Sequence, residues 1–125
     1  MKLLDTTVAI DHLRGANPAR ELLRGLLRAK TPVGASELVR FELLAGVRQA
    51  EMADLKDFAA TLEWFPVEAD VARIGGALAR RYRKSHSGIV DVDYLIAATA
   101  VLLDADLLTT NVKHFPMFAG LEPAY

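Results

Sequence analysis

Apolar residues in this chain recur in two rhythms. Short unbroken runs alternate with longer stretches in which apolar positions return at helical intervals. The first rhythm is that of buried strands, the second that of helices with one face toward a core. Lys2-Leu3-Leu4-Asp5 reads as a short buried strand ending in an acid, and Thr6 to Arg14 follows with Val8, Ala9, Ile10 and Leu13 at helical spacing before Gly15 closes it. Asn17-Pro18 pairs a capping residue with a proline suited to a first helical turn, and opens the stripe Leu22, Leu23, Leu26, Leu27. Thr31 to Ala35 is a second strand, and Ser36 can cap a helix running to about Ala50. Glu51 to Ala60 is a further helix, and Leu62 to Val67 a third strand. Ala69 to Arg83 places Val71, Ile74, Leu78 and Tyr82 on one helical face, and Val90 to Leu103 is another helix. Ala105 to Thr109 is a fourth strand, and Leu121 to Pro123 adds a short fifth.

Strands separated by helices predict an α/β fold with a mostly parallel central sheet, as one domain over residues 1–125. In such sheets ligands bind beyond the carboxyl ends of the strands. Asp5 therefore stands where chemistry is expected.

Composition narrows this only modestly. At 125 residues, with 52% apolar and 25% charged side chains, the chain has ordinary globular proportions and enough length for a core. No apolar run approaches the ~20 residues of a membrane helix, and Met1 to Asp5 does not resemble a signal peptide. A cytoplasmic protein is expected. The absence of cysteine excludes disulfides and thiolate metal sites. Fifteen basic residues balance sixteen acidic ones, so any nucleic-acid contact requires basic groups gathered locally. Arg80-Arg81-Tyr82-Arg83-Lys84-Ser85-His86 is the local excess, with Arg40, Arg48 and Lys113 as secondary candidates. Basic residues closing a helix also simply complement its dipole.

Each candidate acid has two readings. Asp5 is a strand-end ligand or a helix cap. Glu42 lies beside Leu38 and Phe41, where a carboxylate is expensive unless paired or bound to a metal; pairing with Arg40 is the plainer alternative. Asp91 and Asp93 open the small-residue run Tyr94 to Ala100. Residues two apart do not share a helix face, so Asp93 is preferred as a ligand and Asp91 as cap or outer-shell residue, with the reverse assignment open. Thr109-Thr110-Asn111 follows the fourth strand and offers neutral oxygens; such residues are also routine in turns. His114 reads as a surface or packing histidine.

As an ordered set these blocks are more specific. Leu3-Leu4-Asp5-Thr6-Thr7-Val8-Ala9-Ile10, Glu42-Leu43-Leu44-Ala45-Gly46, Asp93-Tyr94-Leu95-Ile96-Ala97-Ala98-Thr99-Ala100 and Leu108-Thr109-Thr110-Asn111 with His114-Phe115 resemble the successive acidic blocks of PIN domains, most specifically VapC toxins of bacterial toxin–antitoxin pairs. The resemblance implies a three-layer α/β/α PIN-like domain and a metal-dependent endoribonuclease. Asp5, Glu42 and Asp93, with Asp91 as the further candidate, would hold Mg²⁺ or Mn²⁺, and Thr7 and Asn111 would orient its waters. It also implies a homodimer and a VapB-type antitoxin that blocks the site within a larger hetero-oligomer. Some members carry aspartate where this chain has Asn111, which leaves a second metal in question. Such an ion would relieve repulsion among the carboxylates, activate water for in-line attack and stabilise the leaving 3′-oxygen. The chemistry of target choice is not written in these residues.

Three alternatives stand beside this reading. A receiver-like signalling domain would need an aspartate ending the third strand, and Trp64-Phe65-Pro66-Val67 has none. A PIN-fold nuclease of RNA processing would lack an antitoxin, and a non-catalytic module would bind RNA or protein without cutting. Leu22, Leu23, Leu26 and Leu27 belong either to the core or to a groove for a partner helix or second subunit.

Overall fold

The computed structural model describes residues 1–125. Strands β1 (Lys2–Leu4), β2 (Val33–Ser36), β3 (Glu63–Phe65) and β4 (Asp106–Leu108) form one sheet in the order β3-β2-β1-β4. Every pairing is parallel: Leu4 lies opposite both Ala35 and Leu108, and Ala35 opposite Trp64. The chain steps outward from β1 to β3, then crosses back to add β4 on the other side of β1. That reversal makes the crevice between the carboxyl ends of β1 and β4 the switch point at which α/β sheets bind ligands. β1 is interior, and both Leu3 and Leu4 are fully buried. A strand covered on both faces needs consecutive apolar residues rather than alternation.

Six helices surround the sheet: α1 (Thr6–Leu13), α2 (Asn17–Arg28), α3 (Glu37–Gly46), α4 (Met52–Ala59), α5 (Ala69–Tyr82) and α6 (Asp91–Leu103). α1 packs against α2, α3 and α4, while α5 pairs with α6, completing the α/β/α layers. α6 is the most buried helix, with Tyr94 and Ile96 to Ala100 inaccessible or nearly so. Its approach to α5 depends on Gly75, where an added Cβ would stand 3.0 Å from Leu95 Cδ2 and 3.5 Å from the Tyr94 carbonyl oxygen. The core joins Leu3, Leu4 and Leu107 of the sheet to Val8, Val39, Phe58, Ile96 and Phe115.

Two expected elements differ. The helix expected from Ser36 to about Ala50 ends at Gly46, because Val47 and Arg48 are extended (ψ 143° and 157°). A 3₁₀ turn at Gln49–Glu51 then leads into α4, and the Glu51 carboxylate accepts the Arg48 N–H at 3.0 Å. The fifth strand does not form: Leu121 to Tyr125 is irregular, although Ala124 N donates to the Thr109 carbonyl at 2.8 Å. Pro123 has no N–H to contribute to a ladder. No helix is long and apolar enough to cross a membrane.

Candidate active site

Where β1 ends, Asp5 N donates to the Leu108 carbonyl at 2.9 Å, holding the residue beside the end of β4. Asp5 occupies the cap position of α1 in an extended conformation, yet its side chain makes no capping bond. Its carboxylate is turned inward instead and is 3% exposed. Oδ2 accepts the hydroxyl of Thr109 at 2.6 Å and that of Thr7 at 3.1 Å, and neither bond falls on Oδ1. Thr7 Oγ1 accepts Thr110 N at 3.2 Å, and Thr109 Oγ1 accepts Asn111 N at 2.9 Å. Two strand ends are thus laced by hydroxyls around one buried acid. Asn111, half-buried, enters this lacing through its backbone.

Glu42 is delivered by α3, whose start is fixed by the Ser36 hydroxyl accepting Leu38 N at 3.1 Å. The half-buried Glu42 carboxylate accepts the Thr6 hydroxyl on Oε1 at 2.6 Å. Thr6 adjoins Asp5 in the chain, so Glu42 is tied to the end of β1. Arg40, the plainer partner for Glu42, is engaged elsewhere. Its guanidinium binds Glu37 at 2.7 Å and lies 4.1 Å from the centre of the Trp64 ring.

Asp93 sits in the first turn of α6 with its side chain 15% exposed. Its Oδ2 receives the ring Nδ1–H of His114 at 2.8 Å and Val90 N at 3.4 Å. Burial raises the Asp93 pKa; the bonds from His114 and Val90 oppose the rise, and the nearby charge of Asp5 adds to it. Asp91 stands apart. Its carboxylate is 82% exposed and ion-paired with Arg83 at 2.6 Å, and Val90 rather than Asp91 holds the cap position.

The side chains do not stand as a closed cage, since no three acids or histidines lie at metal-holding spacing. Asp5 and Asp93 feel each other's charge, and Glu42 joins them through Thr6. The donor set nonetheless fits a hard divalent cation. Each of the three carboxylates commits one oxygen to hydrogen bonds and leaves the other uncommitted. Oxygen-only donors suit Mg²⁺ or Mn²⁺, and Mg²⁺ keeps several waters while using one or two carboxylates directly.

Read from the sequence, His114 is a surface or packing residue; in the structure it is a partner of Asp93. No local signal in the sequence pointed to this contact across 21 residues. Val112–His114 forms a 3₁₀ turn, in which residues three apart lie above one another.

The basic candidates separate clearly. Arg83 is occupied by Asp91, Arg40 by Glu37 and Arg48 by Glu51, whereas Arg80, Arg81, Lys84 and Lys113 are exposed and in no ion pair. Away from the acids lies an open groove of about 1070 Å³ lined in part by α1, α2 and α4. Leu13, Leu23, Leu27, Phe58 and Leu62 give it an apolar wall, and its rim carries Arg20, Arg24 and Lys30 together with Asp54, Asp57 and Glu63. Within the leucine stripe, Leu22, Leu23 and Leu26 are half-buried while Leu27 is 72% exposed.

Comparison with known proteins places this geometry in context. The family model of the PIN domain matches residues 2–120. Ribonuclease VapC19 of Mycobacterium tuberculosis is 63% identical over 125 residues, covering 100% of both chains. Ribonuclease VapC10 of the same organism is 42% identical over 125 residues, covering 100% of this chain and 93% of its own. A toxin–antitoxin complex from Klebsiella pneumoniae superposes with a TM-score of 0.82 at 25% identity, covering 100% of this chain and 98% of that one.

Proposed function

The chain belongs to the PIN-domain family, and on that premise we propose that it is a VapC-type toxin: a metal-dependent endoribonuclease paired with a VapB-type antitoxin. The observation that carries the reading is the placement of Asp5. A carboxylate only 3% exposed, at the switch point of a parallel sheet, with its hydrogen bonds confined to one oxygen, is poorly explained as a cap. It is well explained as a ligand. Full-length identity of 63% to a named ribonuclease supports the same reading.

Asp5, Glu42 and Asp93 would hold Mg²⁺ or Mn²⁺, which when bound supplies Lewis-acid polarisation of the phosphodiester and activation of water. The chain's own residues do the positioning. Thr109 and Thr7 fix the Asp5 carboxylate, and Thr6 fixes Glu42. Thr7, in the first turn of α1, and Asn111, after β4, would orient water near Asp5. Asp91, bound to Arg83, serves the loop before α6 instead of the ion. Arg80, Arg81 and Lys84 lie exposed on the segment that leads into α6 and can take backbone phosphates. Such contacts position RNA without reading bases and weaken with salt.

The antitoxin has a matching surface. The groove beside α2 offers an apolar wall, with Leu27 exposed, and a rim that carries both basic and acidic side chains to an amphipathic helix. The chain's likeness to a toxin–antitoxin complex supports such a partner. A homodimer that enters a larger assembly with the antitoxin, and a cytoplasmic site of action, belong to the same reading.

The deciding experiment is cleavage of labelled total RNA by purified, antitoxin-free protein with Mg²⁺, Mn²⁺ or EDTA. Fragments that require metal and vanish in Asp5→Asn and Asp93→Asn are expected. Cleavage that persists undiminished in either folded variant would refute the assigned site.

A further inference from the structure

Asp93 is held from two sides by parts of the chain that lie far apart in sequence. On one side is its own helix, through the Val90 N–H at 3.4 Å, a long and weak bond. On the other is the 3₁₀ turn after β4, through His114 at 2.8 Å, across 21 residues. A carboxylate can only accept, so His114 Nδ1 carries the proton and donates it to Oδ2. The turn that presents the ring is itself fixed. His114 N bonds the Asn111 carbonyl at 3.0 Å, Phe115 N bonds the Val112 carbonyl at 3.0 Å, and Phe115 is 1% exposed. The far edge of the ring lies toward Gly88, where a side chain would begin 3.9 Å from Nε2.

We propose that His114 is a positioning residue for Asp93, clamping Oδ2 so that Oδ1 is left in a fixed orientation for a divalent cation. This rests on the reading of Asp93 as a metal-holding carboxylate. The terminal torsion of an aspartate is broad and intrinsically weakly restrained. The capping bond alone restrains it poorly, and the short bond from a ring anchored in the turn after β4 supplies the missing restraint. The bond also couples α6 to the strand end that carries Thr109, so Asp93 and Asp5 are positioned by the same segment, residues 109–114.

The test compares Mn²⁺ binding to the purified full chain, by electron paramagnetic resonance of free Mn²⁺, in wild type, Asp93→Asn, His114→Leu and His114→Asn. His114→Leu removes the donor and fills similar space; His114→Met stands in if the leucine variant does not fold. Loss of hydrogen bonds that orient metal ligands typically costs about 10- to 100-fold in affinity, and a loss of this size is expected for His114→Leu. His114→Asn, which keeps an N–H near the Nδ1 position, is expected to recover most of that loss. RNA cleavage by His114→Leu should fall at low Mn²⁺ and recover at saturating Mn²⁺, with KM for RNA unchanged. A folded donor-less variant that binds Mn²⁺ as wild type does overturns the positioning role, as does an Asn variant no better than Leu. Wild type that binds Mn²⁺ no better than Asp93→Asn overturns the metal-site reading itself, so the two failures are distinguishable.

Discussion

The Thr109 hydroxyl donates to Asp5 Oδ2 at 2.6 Å, joining the ends of two neighbouring strands across 104 residues of chain. Thr109 is fully buried and Asp5 nearly so. The same hydroxyl oxygen accepts Asn111 N, so one side chain serves both the acid and the turn that follows β4.

Replacing Thr109 by Val keeps the shape and deletes both bonds. Hydrogen bonds to charged groups are worth about 1.5–3 kcal/mol, and a buried carboxylate losing such a donor should cost that much in urea unfolding. Thr109→Ser should retain most of the stability. Equal unfolding midpoints for wild type and Thr109→Val would show that Asp5 does not depend on this bond.

Asp93 links metal and stability. Its pKa is raised chiefly by burial, so protonation is favoured in the folded state. A group raised in this way contributes stability that is fully present below its unfolded pKa and lost as pH rises through the folded value. Metal-free protein should therefore gain nothing from Asp93 at neutral pH. Asp93→Asn should melt at the same temperature as metal-free wild type, or higher, at pH 7. Added Mg²⁺ should stabilise wild type and leave Asp93→Asn unmoved. Calorimetric melts with and without Mg²⁺ check both statements.

His12 makes an opposite contribution. Its ring lies 4.4 Å from that of Phe58, and its Nδ1 is buried without a partner. Burial lowers its pKa from 6.5, and the Arg20 charge adds to the effect. Here the neutral form is favoured in the folded state, so stability is present above the unfolded value and lost as pH falls through the folded one. Wild type should lose stability below pH 6.5 more steeply than His12→Phe. Urea midpoints measured at neutral and mildly acid pH should converge or cross between the two proteins.

Leu27 separates partner binding from catalysis. It is 72% exposed on the groove wall, so Leu27→Glu should change stability by no more than about 0.5 kcal/mol. The same change places a charge against an apolar partner face and should weaken antitoxin binding by about tenfold or more. RNA cleavage by the free toxin should be unaffected. Titration calorimetry against the antitoxin and the total-RNA assay together decide this. Unchanged antitoxin affinity would move the interface away from this groove.

What was legible in the sequence was what local chemistry determines. Leu3-Leu4 before Asp5 marked β1 and its carboxyl end, Asn17-Pro18 marked the start of α2, and Ser36 capped α3 as expected. The end of α3 was missed because Val47 and Arg48 leave the helix for reasons no periodicity records. The fifth strand does not form although β4 has an open edge: Leu121 to Pro123 has strand-like residues, but Pro123 has no N–H to give and only Ala124 bonds across, to Thr109. Long-range partnerships were hidden altogether. His114 meets Asp93, and Asp91 meets Arg83, only because β4 and α5 bring them there. The acids themselves could be named in order along the chain. Their hydroxyl and imidazole partners, which decide how each carboxylate is held, could not.

The position of β4 beside β1 has a consequence for biosynthesis. The first strand is made long before the fourth, and its acid is not fixed until residues 106–109 have been made and have crossed the sheet to meet it. Pairing across so long a stretch of chain is slow to form and cannot be anticipated by local structure. An enzyme that cuts RNA would therefore lack its cutting edge until this crossing is made.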